Sequence, residues 1–217
     1  MNTRQKLLLL LILVFPGLFY FFLELSNANF KKMPYYGPKV LNVETKDTLY
    51  YSVDTKNLLD SNLNALILDT VNYPVFVIGF LHENLRNEGY KLNGLLDFTL
   101  HEPYKLNYID IFLVNQLDSL SPKRTIKSEL KIKNKDIRQA YCHARDFTSV
   151  NEKFFRKKPV HVFPYFFVLV DKKRNLRGYY DPTFVSEMKR MIQEFEHLKL
   201  RDEKAKLIQK NKIEKKP

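Results

Sequence analysis

The residues that could carry thiol or metal chemistry in this 217-residue chain are few. Cys142 is the only cysteine, so the chain cannot form an intramolecular disulfide or a pair of redox thiols. His143 follows it directly and makes a thiol or metal site at this pair the first hypothesis. We predict a helix over residues 136–147, in which adjacent side chains point about 100° apart and cannot readily share one ion. A buried structural cysteine is therefore the favoured interpretation.

No other residue pattern predicts catalysis. His82-Glu83 is half of a zinc-protease motif without its second histidine, and a polar pair at a helix entry is the simpler interpretation. The acidic residues show no spacing that would fix two carboxylates together. The chain has neither a glycine-rich phosphate loop nor a nucleophile elbow. We therefore predict no catalytic residue, no cofactor and no enzymatic activity.

The stretch that most strongly indicates the fold is residues 163–181. Residues 165–170 form a continuous apolar run that predicts a strand buried on both faces. A charged turn over residues 171–175 follows, and residues 176–180 predict a second strand. Pro164 directly precedes the first strand, a position compatible with a cis peptide bond and equally with an ordinary trans bond.

Other patterns fill in an α/β fold. Residues 40–53 predict a β-hairpin, residues 75–81 the first central strand, and residues 108–114 the next strand. Helical spacing covers residues 83–101, with an apolar side that includes Leu92, Leu95 and Leu100.

Residues 184–200 also have helical spacing, and they close the predicted fold. The apolar positions of this helix are Phe184, Met188, Met191, Ile192, Phe195 and Leu198.

The amino-terminal segment predicts a membrane anchor. Residues 7–23 carry no charge and would span about 26 Å as a helix, close to the hydrocarbon thickness of a bilayer. Arg4 and Lys6 place the amino terminus in the cytoplasm and the bulk of the chain outside. A signal peptide cleaved after Ala28 is the alternative.

The chain therefore divides into five predicted parts. These are a cytoplasmic amino terminus (1–6), a transmembrane anchor (7–25), a linker (26–39), a folded domain (40–200) and a basic tail (201–217). The net charge is +12, but many of the lysines lie in the tail, and an extracytoplasmic domain seldom meets nucleic acid. We predict a membrane and a protein as partners, and no nucleic acid.

Two segments resemble the SCO/SenC family. They are residues 169–181, which read LVDKKRNLRGYYD, and residues 29–38, which read NFKKMPYYGP and are similar to that family's membrane-proximal linker. The resemblance implies a thioredoxin-like three-layer α/β/α sandwich with an amino-terminal β-hairpin, on the periplasmic side of the inner membrane. It implies structural roles for Asp171 and Gly178. It also implies copper binding and service to cytochrome oxidase assembly or thiol redox.

The chain departs from the family where that chemistry resides. The family carries a Cys-x-x-x-Cys motif after the first central strand, whereas residues 82–89 here read HENLRNEG. His161 is a possible counterpart of the family's distal histidine, about two residues out of place. We expect a protein-binding or assembly factor that has lost its redox and copper ligands. The alternative is an active copper or thiol protein that uses Cys142, His143 or His161.

Overall fold

The computed structural model describes two compact units of the chain, Met1–Met33 and Pro34–Pro217. In the first unit, residues 14–19 are helical. Among the described residues, no helix combines the length and apolarity needed to cross a bilayer. Most of the predicted anchor, residues 7–25, lies outside the described part. The described residues are 5, 14–19, 33–42, 46–81, 92–117, 127, 131–156, 158 and 166–214.

The second unit contains a two-stranded hairpin and a five-stranded sheet. The hairpin pairs β1 (Lys39–Leu41) with β2 (Thr48–Tyr50) in antiparallel orientation, as predicted. The sheet has the order β5-β4-β3-β6-β7, with β3, β4 and β5 parallel and β6 and β7 antiparallel to their neighbours. Its strands are β3 (Phe76–Leu81), β4 (Ile111–Leu117), β5 (Ile137–His143), β6 (Phe167–Val170) and β7 (Leu176–Tyr180).

The centre of the sheet is the predicted pair of apolar strands. β3 and β6 lie side by side, with Phe76 opposite Val170 and Gly79 opposite Phe167. Gly79 leaves room for the Phe167 ring, since a Cβ atom at that glycine would lie 2.5 Å from two ring carbons. The prediction that residues 75–81 and 165–170 share one sheet is confirmed for the described residues.

Helices cover both faces of this sheet. They are α1 (Asn93–His101), a 3₁₀ helix (Pro103–Leu106), α2 (Ala144–Phe155) and α3 (Val185–Glu214). The Tyr179 hydroxyl donates to the Phe154 carbonyl of α2 at 2.9 Å, whereas the Tyr180 hydroxyl donates to Glu194 of α3. Because adjacent strand residues point to opposite faces, α2 lies on one face and α3 on the other. α1 packs against α3, which gives three layers.

The predicted helix over residues 136–147 is wrong. Residues 137–143 form β5, which pairs with β4 along its full length. On the outer edge of β5, Tyr141 exchanges two backbone hydrogen bonds with Leu59, at 2.8 and 2.9 Å. These distant pairings outweigh the helix-favouring residue types. α2 begins only at Ala144, so Cys142 and His143 point to opposite faces of a strand.

Smaller differences concern two element ends and the exposure of two side chains. The second central strand begins at Ile111, later than predicted, and the closing helix continues to Glu214. Leu100 is 75% exposed and does not join the buried side of α1. Phe184 is also exposed, while the other predicted apolar positions of the closing helix are buried.

Candidate functional site

The carboxyl ends of the parallel strands define the edge where an α/β sheet places its ligands. Leu81 of β3, Asn115 of β4 and Tyr141 of β5 lie in register there. The turn after β3, with His82 and Glu83, lies outside the described residues, as do His161 and Pro164.

Asn115 ties the parallel strands together at this edge. It is almost fully buried, and its Nδ2 donates to the Leu113 and Ala140 carbonyls at 3.1 and 3.3 Å. The same amide nitrogen donates to Gln139 Oε1. A buried amide with these partners holds β4 against β5 and has a structural role.

Cys142 lies in the core, at the end of β5. Its side chain has 0% exposure, and burial, with a smaller contribution from Asp146, raises the pKa of the thiol to about 11. The thiolate is the reactive and metal-binding form of cysteine, so a buried thiol with a raised pKa is inert at neutral pH.

The described residues do not fit a copper site. Copper(I) prefers soft thiolate donors, and the single thiol is buried on the face opposite to the exposed His143 side chain. Within the described ranges, no three His, Cys, Asp or Glu side chains come together to hold a metal ion. The sequence HENLRNEG after β3 supplies no sulfur.

Asp171 organises the turn between β6 and β7. Its Oδ1 accepts the backbone N–H groups of Lys173 and Asn175 at 2.9 and 3.0 Å. Its Oδ2 lies 3.0 Å from Arg177 Nη1, and the two side chains are 9% and 1% exposed. A carboxylate with these partners fixes the turn in one conformation.

Arg177 extends the network to the segment that follows the first unit. Its Nε donates to the Pro34 carbonyl at 3.1 Å, and its guanidinium lies 3.8 Å from the centre of the Tyr35 ring. Tyr35 stacks on Tyr50 of β2 at 3.8 Å. The Tyr36 N–H donates to the Leu176 carbonyl at 3.0 Å. The two segments that carry the family resemblance, the linker and the final hairpin, are therefore in contact.

Arg174 is a second organising residue of this turn, and the sequence analysis missed it. It adopts a left-handed conformation, with φ of 63°. A turn that begins with aspartate and ends with asparagine is a sequence signal for such a conformation. Its guanidinium donates to the carbonyls of Tyr73, at 3.0 Å, and of Leu68. The guanidinium also lies 5.1 Å from the centre of the Phe76 ring, and burial lowers the pKa of Arg174.

Gly178 makes room for the Tyr180 side chain. A Cβ atom at this position would collide with the Tyr180 hydroxyl. That hydroxyl donates to Glu194 Oε2 at 2.5 Å, and Arg190 lies 4.5 Å from the ring centre. Burial raises the pKa of Tyr180 well above its ordinary value, so the phenol stays protonated. Gly178 and Asp171 thus have structural positions in the hairpin.

Comparison with known proteins supports the fold class. No family model and no curated protein matches the chain. The sheet order and the helix layers are those of a mixed α/β thioredoxin-like fold. Within that class the fold is SCO-like: a SCO1/SenC family lipoprotein from Bacillus anthracis superposes with a TM-score of 0.50 at 12% identity, over 68% of this chain and 95% of that chain.

Two further solved structures are similar at lower scores. ScoI from Bradyrhizobium japonicum, with copper bound, gives a TM-score of 0.45 at 11% identity, over 66% of this chain and 99% of that chain. BsSco, a member of the Sco family of cytochrome c oxidase assembly proteins, gives 0.45 at 13% identity, over 68% of this chain and 95% of that chain.

Proposed function

We propose that this protein is a membrane-anchored, extracytoplasmic assembly factor that binds another protein and performs no copper or dithiol chemistry. Its partner belongs to respiratory oxidase biogenesis, the process in which the similar protein BsSco is an assembly protein. The SCO-like fold and the two contacting segments of family resemblance support this proposal.

The observation that carries the proposal is the state of the single thiol. Cys142 is buried with its pKa raised to about 11, and it lies on β5, away from the position after β3 where the family keeps two cysteines. Dithiol exchange needs two accessible thiols, and copper(I) prefers soft sulfur donors such as thiolates. A binding role uses the fold without either requirement.

The anchor is supported by the sequence. Residues 7–23 are uncharged, and Arg4 and Lys6 precede them, which predicts that the folded unit lies outside the cytoplasm. A single-pass anchor in the inner membrane would keep the folded unit close to the membrane that holds the oxidase subunits.

Site-specific photocrosslinking in membranes tests the proposed partner. A photoreactive amino acid replaces His143, which is exposed where β5 ends and α2 begins. The matched control places it at Val71, which is 81% exposed and precedes β3, near the opposite edge of the sheet. Recovery of an oxidase subunit from the His143 position, and not from Val71, is the expected result. Recovery of proteins unrelated to respiration would contradict the assembly role.

A further inference from the structure

An exposed basic and aromatic surface lies at the amino-terminal edge of the sheet. We call it the basic aromatic surface. Its exposed tyrosine rings and its exposed leucine side chain lie in the segment that precedes β4. Leu100 is 75% exposed, Tyr104 64% and Tyr108 80%. Single exposed apolar residues are ordinary, but three exposed apolar or aromatic side chains within one short segment indicate an interaction surface. The surface consists of Leu100, Tyr104, Tyr108, Lys131, Lys133 and Lys135.

The three lysines of this surface precede β5. They alternate with Ile132, which is buried, so all three side chains are exposed. An open cleft of about 640 Å³ is lined by Leu100 and Pro103 on one side and by the three lysines on the other. Asn134 Nδ2 donates to the Pro103 carbonyl at 3.5 Å and joins the two sides. Tyr104 directly follows Pro103 of this lining, and the Tyr108 N–H donates to Asp136 of the same lining, so the two exposed tyrosines adjoin the cleft that the lysines line.

The described residues neutralise the positive charge of this surface only in part, because Asp136 is the single acidic residue in the lining of the cleft. Within the ranges that the structure covers, no ion pair joins Lys131, Lys133 or Lys135 to a carboxylate. Two other acidic residues nearby have partners of their own: Glu102 pairs with Lys105, and Asp110 lies 3.3 Å from Arg138. Three lysines against one aspartate leave a net positive charge in the lining of the cleft, which suits an anionic partner.

Two residues of this surface have backbone conformations that are unfavourable for residues with a side chain. Tyr108 has φ of 73° and Lys131 has φ of 54°, conformations that residues with a Cβ atom rarely adopt. Tyr108 is fixed there because its N–H donates to Asp136 Oδ2 at 3.4 Å and its carbonyl accepts from Lys199 Nζ at 3.2 Å. Strained residues of this kind cluster at functional surfaces, and here they accompany an outward-facing ring.

We propose that the basic aromatic surface binds the surface of an anionic lipid bilayer. Tyrosine rings concentrate at membrane interfaces, and each lysine near an anionic leaflet strengthens binding. Lipid explains the exposed rings and the lysines together, whereas an acidic protein segment would explain the lysines alone. The carboxyl edge of the strands lies at the opposite end of the sheet. Contact between the basic aromatic surface and the bilayer would therefore point the carboxyl edge away from the membrane. The inference rests on the membrane location in the proposed function and adds an orientation to it.

A fluorescence experiment on the full chain tests this contact. Asn107 lines the cleft, and the variant Asn107→Cys carries an environment-sensitive fluorophore, while the buried Cys142 stays unlabelled in the native protein. The matched control carries the label at Thr148→Cys, an exposed position on α2. The labelled chains are reconstituted with vesicles that contain a quencher-bearing lipid. One set is phosphatidylglycerol with phosphatidylcholine, and the other is phosphatidylcholine alone.

We expect quenching at position 107 in the anionic vesicles, little in the neutral ones, and none at position 148. Neutralising Lys131, Lys133 and Lys135 to glutamine should shift the contact equilibrium toward the free surface by roughly 100-fold. Glutamine at Arg145 and Lys153 of α2 and at Arg156, which directly follows it, removes the same charge and should leave the quenching unchanged.

Two results would overturn the inference. One is equal quenching at position 107 in both vesicle types, or its survival in the triple lysine variant. The other is a fluorescence response to soluble polyglutamate with no response to anionic vesicles, which would assign the surface to an acidic protein. Flotation in high salt distinguishes the anchor from this contact: a chain that floats without quenching at position 107 keeps its anchor and refutes the surface contact.

Discussion

Asp171 and Arg177 form an ion pair that is nearly excluded from water, with side-chain exposures of 9% and 1%. Such a pair is costly to break from one side, because the remaining charge has no compensation. The guanidinium also holds the Pro34 carbonyl and the Tyr35 ring, so its position affects the linker as well as the hairpin. Single residues of this turn therefore control contacts between distant parts of the sequence.

Asp171→Asn should lower the free energy of unfolding by about 3 kcal/mol, because it leaves Arg177 buried without a counter-charge. Urea denaturation of the wild-type and variant chains measures the change. Glu196→Gln, at an exposed position of α3, is the matched control and should change stability by less than about 0.5 kcal/mol. Equal stability of the two variants would show that the ion pair is dispensable.

The Cys142 thiol should be nearly unreactive toward a thiol reagent at pH 8 in the native protein. Its side chain has 0% exposure and its pKa is raised to about 11. In denaturing urea the same thiol should react at the rate of a free cysteine. Colorimetric titration under both conditions gives the two rates, and a native rate like that of the unfolded chain would contradict the buried position.

The raised thiol pKa also predicts a direction for the pH dependence of stability. The ordinary value is 9.0 and the folded value is about 11, so the unfolded chain releases this proton first. The contribution of the Cys142 thiol to the free energy of unfolding is complete below pH 9 and is lost as pH rises toward 11. In Cys142→Ala, chemical denaturation across this range should show a smaller decline in stability than in the wild type. An identical decline would contradict the shift.

At the scale of elements, α1 reaches the turn before α3 only because Gly94 lacks a side chain. A Cβ atom there would lie 2.6–2.8 Å from backbone atoms of Pro182 and Phe184. The Leu95 N–H donates to the Pro182 carbonyl at 3.1 Å across the same contact. Backbone atoms cannot rotate away as a side chain can, so this approach leaves no space for a methyl group.

Gly94→Ala should therefore destabilise the protein by about 2 kcal/mol, although alanine is the better helix former. The matched control is Asn93→Ala, an exposed position at the start of the same helix, where alanine should be neutral or mildly stabilising. Thermal or urea unfolding of both variants measures the effect. Stabilisation by Gly94→Ala would mean that α1 does not approach this turn.

The elements that could be predicted from the sequence are those whose secondary structure is determined by a local pattern of residues. The continuous apolar runs of β3 and β6 and the helical spacing of α3 are local properties, and all three elements are present. β5 was missed because alanine, glutamine and arginine favour a helix locally. Its strand conformation depends on β4 and on Leu59, which a local pattern does not report.

Some residues of the final hairpin could be singled out from the sequence, and others could not. Asp171 and Gly178 stood out through the family resemblance, and both have defined structural positions. The contacts of Arg174 and Arg177 with Leu68, Tyr73 and Pro34 join segments far apart in the chain. Such contacts follow from the fold and could not be read from residue types alone.

At the scale of the whole molecule, the chain builds an SCO-like thioredoxin fold around an aromatic core and keeps its single thiol inside that core. Phe80 packs against Phe147, Phe154 and Phe155 of α2, next to the layer that buries Cys142. The carboxyl edge of the parallel strands is present, but the sequence that follows β3 has no cysteine. We therefore expect this fold to bind a partner without redox or copper chemistry.

Copper(I) titration of the full chain against a colorimetric chelator under reducing conditions tests this claim most directly. We expect the chelator to keep the copper, in the wild type as in Cys142→Ser and His161→Ala. Stoichiometric transfer of copper(I) to the wild-type chain, abolished by either substitution, would contradict this expectation and establish an active metal site.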